Sequence, residues 1–248
     1  MNNIIIKKSI VKIFHEFFSV HFILSSSNFN ILSLANNHTD NYKKEVGFGS
    51  TVSLLAEKNI ATFGHYNSCD IKYGYNDKDN YFLAFNLVDG DYGCSNVVLE
   101  NIKKIKKQNK NSFVILYPHW GKEYQATSGY MQKSLARKFI DQGADLIVGS
   151  HPHVIQDIEM YKNKLIFYSL GNFIFDQYFL KEAQTGLMVG LSKNESLLTY
   201  YLVPFKGDNS VVNFLSNSEA NAVLKKISER SSKELTSMIE KGIIELER

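Results

Sequence analysis

Residues 143–176 constrain this chain more than any other stretch. The segment opens Gly-Ala-Asp-Leu-Ile-Val-Gly-Ser-His-Pro-His-Val-Ile-Gln and closes Tyr-Ser-Leu-Gly-Asn-Phe-Ile-Phe-Asp. Leu146, Ile147 and Val148 form a short apolar run between Asp145 and Gly149, the pattern of a strand buried on both faces. Pro152 has no N–H to give a central ladder, so the chain must leave the sheet there. A turn around Pro152 would let His151 and His153 converge. Two imidazoles at a strand end, in the crevice where open α/β sheets place ligands, suggest metal ligation. A hydrogen-bonded pair of loop histidines is the other reading.

Two further runs repeat the pattern. Residues 113–117 are apolar and lead into Pro118-His119-Trp120-Gly121, and residues 29–35 lead into Asn36-Asn37-His38. Three strand-like runs thus deliver nitrogen or oxygen donors at their C-terminal ends. Of the 7 histidines, His38, His119, His151 and His153 lie in these loops, which favours the metal reading. Imidazole with amide oxygen suits a divalent transition metal (Mn, Zn or Fe) better than Ca or Mg.

Four blocks carry a resemblance. They are Leu34-Ala35-Asn36-Asn37-His38, His119-Trp120-Gly121-Lys122-Glu123-Tyr124, Gly149-Ser150-His151-Pro152-His153-Val154-Ile155-Gln156 and Tyr168-Ser169-Leu170-Gly171-Asn172-Phe173-Ile174-Phe175-Asp176. In order and spacing they resemble the signature blocks of the CapA family of poly-gamma-glutamate capsule synthesis proteins. That family is similar in fold to calcineurin-like metallophosphoesterases. The resemblance runs over residues 28–226 and implies an α/β fold, a metallophosphatase-like layered α/β/β/α sandwich. It divides the chain into a non-matching segment, 1–27, and a CapA-like domain, 28–248. It implies that Asn37, His119 and His151 ligate one metal and His153 a second, with His38 beside them to protonate a leaving group or hold an oxyanion. It also implies a cell-envelope or extracytoplasmic location, and a polyanionic polymer or a capsule synthase complex as partner.

The resemblance is incomplete upstream. Family members carry a strand ending in Gly-Asp and a further acidic residue before the Asn-Asn-His block. Here Asp40 is the first aspartate and Glu16 the only earlier glutamate. The expectation is therefore a sandwich without its first strand region and a site impaired by loss of carboxylates. Three functions stay open: a metal-dependent hydrolase or transferase of capsule or cell-surface polymer assembly, a non-catalytic component that binds polymer or synthase, and an inactive fragment.

Alternatives remain open residue by residue. Asn37 is a residue type that also caps helices. His119 and Trp120 also suit a packed aromatic pair. Asp145 and Asp176 suit either a role orienting a ligating histidine or a turn. Glu123 and Tyr124 complete a block without a role that the residue types alone suggest, and His15, His21, His65 and Cys69 read as structural.

Charge and composition exclude some classes. A net charge of +3 is too slight to argue for nucleic acid. Only Arg137, Arg230 and Arg248 are arginines, which leaves little for a phosphate clamp. No run is apolar enough to span a membrane. Residues 1–27 resemble a signal peptide superficially, but His15, Glu16 and His21 interrupt the apolar stretch and no small-x-small site follows. Cytoplasmic residence of the chain as written stays open. Ile6, Ile10, Phe14, Phe17 and His21 fall at helical spacing. Cys69 and Cys94 leave one disulfide or two thiols equally open.

Elsewhere the pattern predicts helices over 40–58, 96–110, 129–142, 218–230 and 233–244. It predicts strands over 29–35, 60–63, 81–88, 113–117, 146–148, 165–170, 187–191 and 197–203, the last closed by Pro204. Residues 67–80 read as a loop. Val97, Val98, Ile102 and Ile105 should face inward from the second helix, with Lys103, Lys104, Lys106, Lys107 and Lys110 as its wet face or as a polyanion patch. Met131, Leu135, Phe139 and Ile140 should face inward from the third, with Gly143 as its C-cap.

Overall fold

The computed structural model describes residues 2–6, 29–41, 43–88, 90, 93–175, 177, 179–208 and 211–248. The helical reading through Ile10, Phe14, Phe17 and His21 lies outside these residues, as do His15 and Asp176. In chain order the elements are β1 (Asn2–Ile6), β2 (Ile31–Ser33), α1 (Glu45–Glu57), β3 (Ala61–Phe63), β4 (Tyr75–Asp77), β5 (Asn80–Asn86), α2 (Cys94–Gln108) and β6 (Phe113–His119). There follow α3 (Tyr130–Gln142), β7 (Leu146–Val148), β8 (Ile158–Tyr161), β9 (Lys164–Phe167), β10 (Thr185–Lys193), β11 (Leu197–Asp208), β12 (Val211–Phe214), α4 (Asn217–Ser228), α5 (Thr236–Glu240) and β13 (Ile243–Glu247).

The apolar runs become the centre of a six-stranded sheet of order β4-β5-β6-β7-β9-β8. Strands β5, β6, β7 and β9 are parallel, and the edges β4 and β8 are antiparallel. Period-two alternation sorts each run between two cores. Phe82, Ala84, Phe113, Ile115, Leu146, Val148, Leu165 and Phe167 face one way. Leu83, Phe85, Val114, Leu116, Ile147 and Ile166 face the other, onto α2 and α3. Because both faces are covered, the strands read as unbroken apolar runs. The first core is closed by a second, antiparallel sheet, β1-β10-β11-β12, with β13 also paired to β11. Leu187, Val189, Leu198, Tyr200, Ile244 and Leu246 line its inner face, and Leu224, Ile227 and Ile239 of α4 and α5 pack into the same cluster. A small parallel pair, β2-β3, holds α1 against a third cluster around Phe29, Leu32, Phe48 and Leu55.

Several expectations change, each for a physical reason. The 67–80 loop contains β4, which forms a hairpin with β5 through Lys78, a positive-φ residue. Strand β11 continues through Pro204 to Asp208. Pro204 pairs with Leu187 of β10, but its nitrogen lies on the opposite edge, the one from which Leu202 N–H reaches the Gly242 carbonyl, and there it falls between the residues that pair with β13 and those that pair with β12, so its missing N–H breaks no ladder bond. Residues 243–247 form a strand, not a helix end, with Ile244 and Leu246 buried at period two. Val97 is 43% and Met131 66% exposed, so neither faces inward. In α3 the inward position belongs to Gln132, whose Oε1 accepts from the Gly129 N–H and whose Nε2 donates to Gln156. Lys106 is not part of a wet face. It donates to Asp145 at 2.6 Å and to the Ser112 carbonyl at 2.5 Å.

Cys69 and Cys94 form a disulfide that ties the 3₁₀ turn at Ile71–Tyr73 to the start of α2. Closing a 25-residue separation should contribute roughly 3–4 kcal/mol by restricting the unfolded chain. Denaturant unfolding of Cys94→Ser should show a loss of that size, and dithiothreitol should bring the wild type to the same value. Equal stability of both proteins would contradict the tether.

Candidate metal centre

The parallel register of β6 and β7 sets the site. His119, the last residue of β6, forms a bridge with Ser150, two residues past β7, with Ser150 N–H donating to Pro118 O (2.9 Å) and Trp120 N–H to Ser150 O (3.0 Å). Neighbouring side chains then part. Trp120 turns into the helix-side core, stacks on Tyr168 at 6.1 Å and donates Nε1–H to the Tyr168 carbonyl at 3.0 Å. His119 turns the other way and is buried, with Nδ1 2.9 Å from Ser150 Oγ and Nε2 2.9 Å from Asn37 Oδ1. The packed-pair reading of His119 with Trp120 therefore fails. A Cβ at Gly149 would collide with the Tyr168 carbonyl and the indole nitrogen of Trp120, so this position has room only for glycine.

The His-Pro-His turn does converge. His151 has φ 98° and His153 φ 62°, both on the left-handed side that non-glycine residues avoid. The ring of His151 lies 5.0 Å from that of His119 and 5.9 Å from that of His153, centroid to centroid. Glu123, His151 and His153 offer one donor atom each within 4.8 Å of one another. Asn172 decides the tautomer of His153. Its Nδ2 donates to the carbonyl of Ala183 (3.0 Å) and to Gln177 Oε1 (3.2 Å), so its Oδ1 accepts from His153 Nδ1–H at 2.8 Å. That leaves Nε2 for Glu123, whose Oε1 is 3.6 Å away, the spacing of an ion pair where Nε2 carries a proton. Two lone-pair atoms at that spacing repel unless a proton or a cation lies between them. The spacing is less than twice a metal–ligand bond of about 2.1 Å, and the 2.9 Å between His119 Nε2 and Asn37 Oδ1 also suits adjacent ligands of one ion. The donor set fits a divalent transition metal.

Comparison with known proteins gives this arrangement a context. Residues 91–177 match the family described as bacterial capsule synthesis protein PGA_cap. The capsule biosynthesis protein CapA of Bacillus anthracis is 33% identical over 187 residues, covering 66% of this chain and 44% of that protein. The PGA biosynthesis protein CapA of Bacillus subtilis (strain 168) is 33% identical over 184 residues, covering 67% of this chain and 48% of that protein. The chain is a relative of the CapA proteins. It spans about half the length of these two. A purple acid phosphatase from yellow lupin (Lupinus luteus) seeds overlays with a TM-score of 0.38 at 12% identity over 79% of this chain and 47% of that one, too distant to carry an argument.

In this CapA relative the loop after β6 completes the site. Gly121 (φ 87°) and Tyr124 (φ 59°) bend it back, and Tyr124 N–H donates to Pro152 O at 2.8 Å. Gln156 Nε2 donates to the carbonyls of Gln125 (2.9 Å) and Thr127 (3.2 Å), and Asp157 accepts from Ser128 N–H and Oγ–H. Tyr124 stacks on His153 at 5.9 Å, and Phe175 meets the same ring at 4.9 Å. Glu123 thus joins the histidines, a residue that sequence reasoning left without a role. Its signal was its place three residues after Trp120, in a block whose backbone must fold back. Asn172 and Ser150 are further partners not anticipated.

The remaining candidates divide. Asn37 does not cap α1, which begins at Glu45 after Lys44. His38 is half-buried beside it, with its N–H on Asn36 Oδ1 (2.8 Å) and its Nδ1 3.0 Å from Asn41 Nδ2. Asp145 orients no histidine. It lies at the opposite end of β7, where it accepts from Lys106, Lys164 and Val114 N–H. His65 is structural, packed between Phe48 and Tyr66. On the far side of the sheet Tyr168 donates to Glu159 at 2.8 Å, and burial, aided by that carboxylate, holds its phenol well above the ordinary range.

Gly149→Ala should push Tyr168 and Trp120 apart and destabilise the fold by about 2 kcal/mol or more. The protein's single tryptophan reports it directly: emission should shift to the red and the unfolding midpoint should fall. Unchanged emission and stability would mean that the two strand ends are not packed this closely.

Proposed function

We propose that this chain holds divalent transition metal at the strand ends and acts as a metal-dependent hydrolase or transferase in capsule polymer assembly. The observation that carries the reading is the facing of His153 Nε2 and Glu123 Oε1 at 3.6 Å, beside the His119–Asn37 pair. Asn37, His119 and His151 would hold one ion, and His153 with Glu123 a second. When bound, a divalent ion supplies Lewis acidity toward a phosphoryl or carbonyl oxygen and toward water. The protein's own groups do the rest. Ser150 and Asn172 fix the ring orientations of His119 and His153, as partners of ligating histidines do. Tyr124 and Phe175 wall off one side of His153 from water. His38, half-buried next to Asn37, would give a proton to a leaving group or bond a developing oxyanion.

The names of the relatives support capsule or poly-gamma-glutamate as the setting, with the polymer or its synthase as partner. The Cys69–Cys94 disulfide supports an oxidising compartment such as the cell envelope. Among the described residues no helix is long and apolar enough to cross a membrane.

Elemental analysis after loading with Mn or Zn and desalting tests the reading. Wild type should retain metal, His151→Ala should lose most of it, and His38→Ala should keep it. Turnover of a phosphoester or a gamma-glutamyl substrate by His38→Ala should then fall about 10²-fold. A wild type that retains no metal sinks the proposal, and full retention by His151→Ala would remove that ligand.

A further inference from the structure

A second concavity shares a wall with the centre. Tyr124, whose ring stacks on His153, also lines a cleft of about 200 Å³, as do Val154 and Ile155, which follow His153 directly. Across from them stand Leu180, Lys226 and Arg230. Arg230 is tied in place: its Nη2 donates to the Ile155 carbonyl at 2.7 Å, and Ser231 Oγ next to it accepts from Ile158 N–H at 2.8 Å. Among the described residues no carboxylate forms an ion pair with this guanidinium, and its Nε is buried without a hydrogen-bond partner. Burial pushes its pKa down, and only the more distant charge of Asp157 offsets that. A half-buried cation in this state gains from a charge-assisted hydrogen bond to an anion.

Among the described residues the other charged groups that line the cleft are Lys226 and Glu182, both exposed. Two cations and one anion leave a single positive charge, enough for one carboxylate and short of what a phosphate dianion asks. The walls between are aliphatic: Val154, Ile155, Leu180 and Val223. The volume lies below the usual range for whole cofactors and suits a short acyl segment. We propose that this cleft is a carboxylate subsite that holds one acidic unit of a substrate chain through Arg230 and Lys226. That unit would lie on the Tyr124 side of the metal centre. The link to a polymer rests on the function proposed above. The recognition of a carboxylate does not.

Calorimetric titration of the chelator-treated protein with glutarate and with gamma-glutamylglutamate tests this without metal or turnover. Both probes should bind saturably to wild type and equally to His151→Ala. Arg230→Gln should weaken binding by about tenfold or more. Lys226→Glu, a surface change that leaves the Arg230 anchor intact, should weaken it several-fold. Absence of saturable binding in wild type, or unchanged affinity in both variants, would overturn the subsite. Inorganic phosphate competing as tightly as glutarate would overturn the carboxylate assignment. Glutarate binding by a protein that retains no metal would keep the subsite while the metal reading fell.

Discussion

The lateral register of β6 on β7 is the constraint on which the site depends. Once Ile115 and Leu116 pair with Leu146 and Ile147, the two strands end side by side, and His119 must meet Ser150. Close packing behind that junction allows no slip. Trp120 bonds the Tyr168 carbonyl, and Gly149 leaves no space for a side chain between them. Because a one-residue slip in a strand exchanges its faces, the same register that buries Trp120 also turns His119 toward Asn37. The site is a consequence of how the core is filled.

Beyond the strand ends, hydrogen bonds take over from packing. The 121–129 loop is held to the 150–157 segment by Tyr124, Gln156 and Asp157, so Glu123 and His153 cannot drift apart independently. His151 and His153 keep positive φ angles, a conformation that costs of order 1–3 kcal/mol at each residue and persists only where its surroundings enforce it. Here the enforcing bonds and the donor atoms belong to the same few loops. A strained turn of buried, converging imidazoles beside a carboxylate is the kind of feature that marks a functional site, and the proposed cation would lie among them. The chain spans about half the length of the two CapA proteins it matches, which leaves the activity of the whole proteins to experiment.

How much could be read from the sequence followed from how each side chain earns its place. Strands β5, β6, β7 and β9 were legible because burial on both faces demands continuous apolar runs. The meeting of Asn37, His119, His151 and His153 at one end of the sheet was legible because polar donors recurred at the ends of such runs. Short hairpin strands were not: β4 and β8 lie at sheet edges, where Asn76 and Glu159 are tolerated. Strand β13 is five residues of half-buried alternation that a helical period also fits. Gln132 and Lys106 misled by type, since each is held inward by a specific partner, Gln156 and Asp145, far away in sequence. Glu123 was missed for the same reason. Its meaning appears only when Tyr124 bonds Pro152 and brings two loops together.

Anomalous diffraction from crystals loaded with Mn or Zn tests the central claim most directly. The account predicts a peak about 2.0–2.2 Å from both His119 Nε2 and Asn37 Oδ1, with any second peak between His153 Nε2 and Glu123 Oε1. A well-diffracting loaded crystal with no peak at the strand ends, or with metal only on the surface, would contradict it.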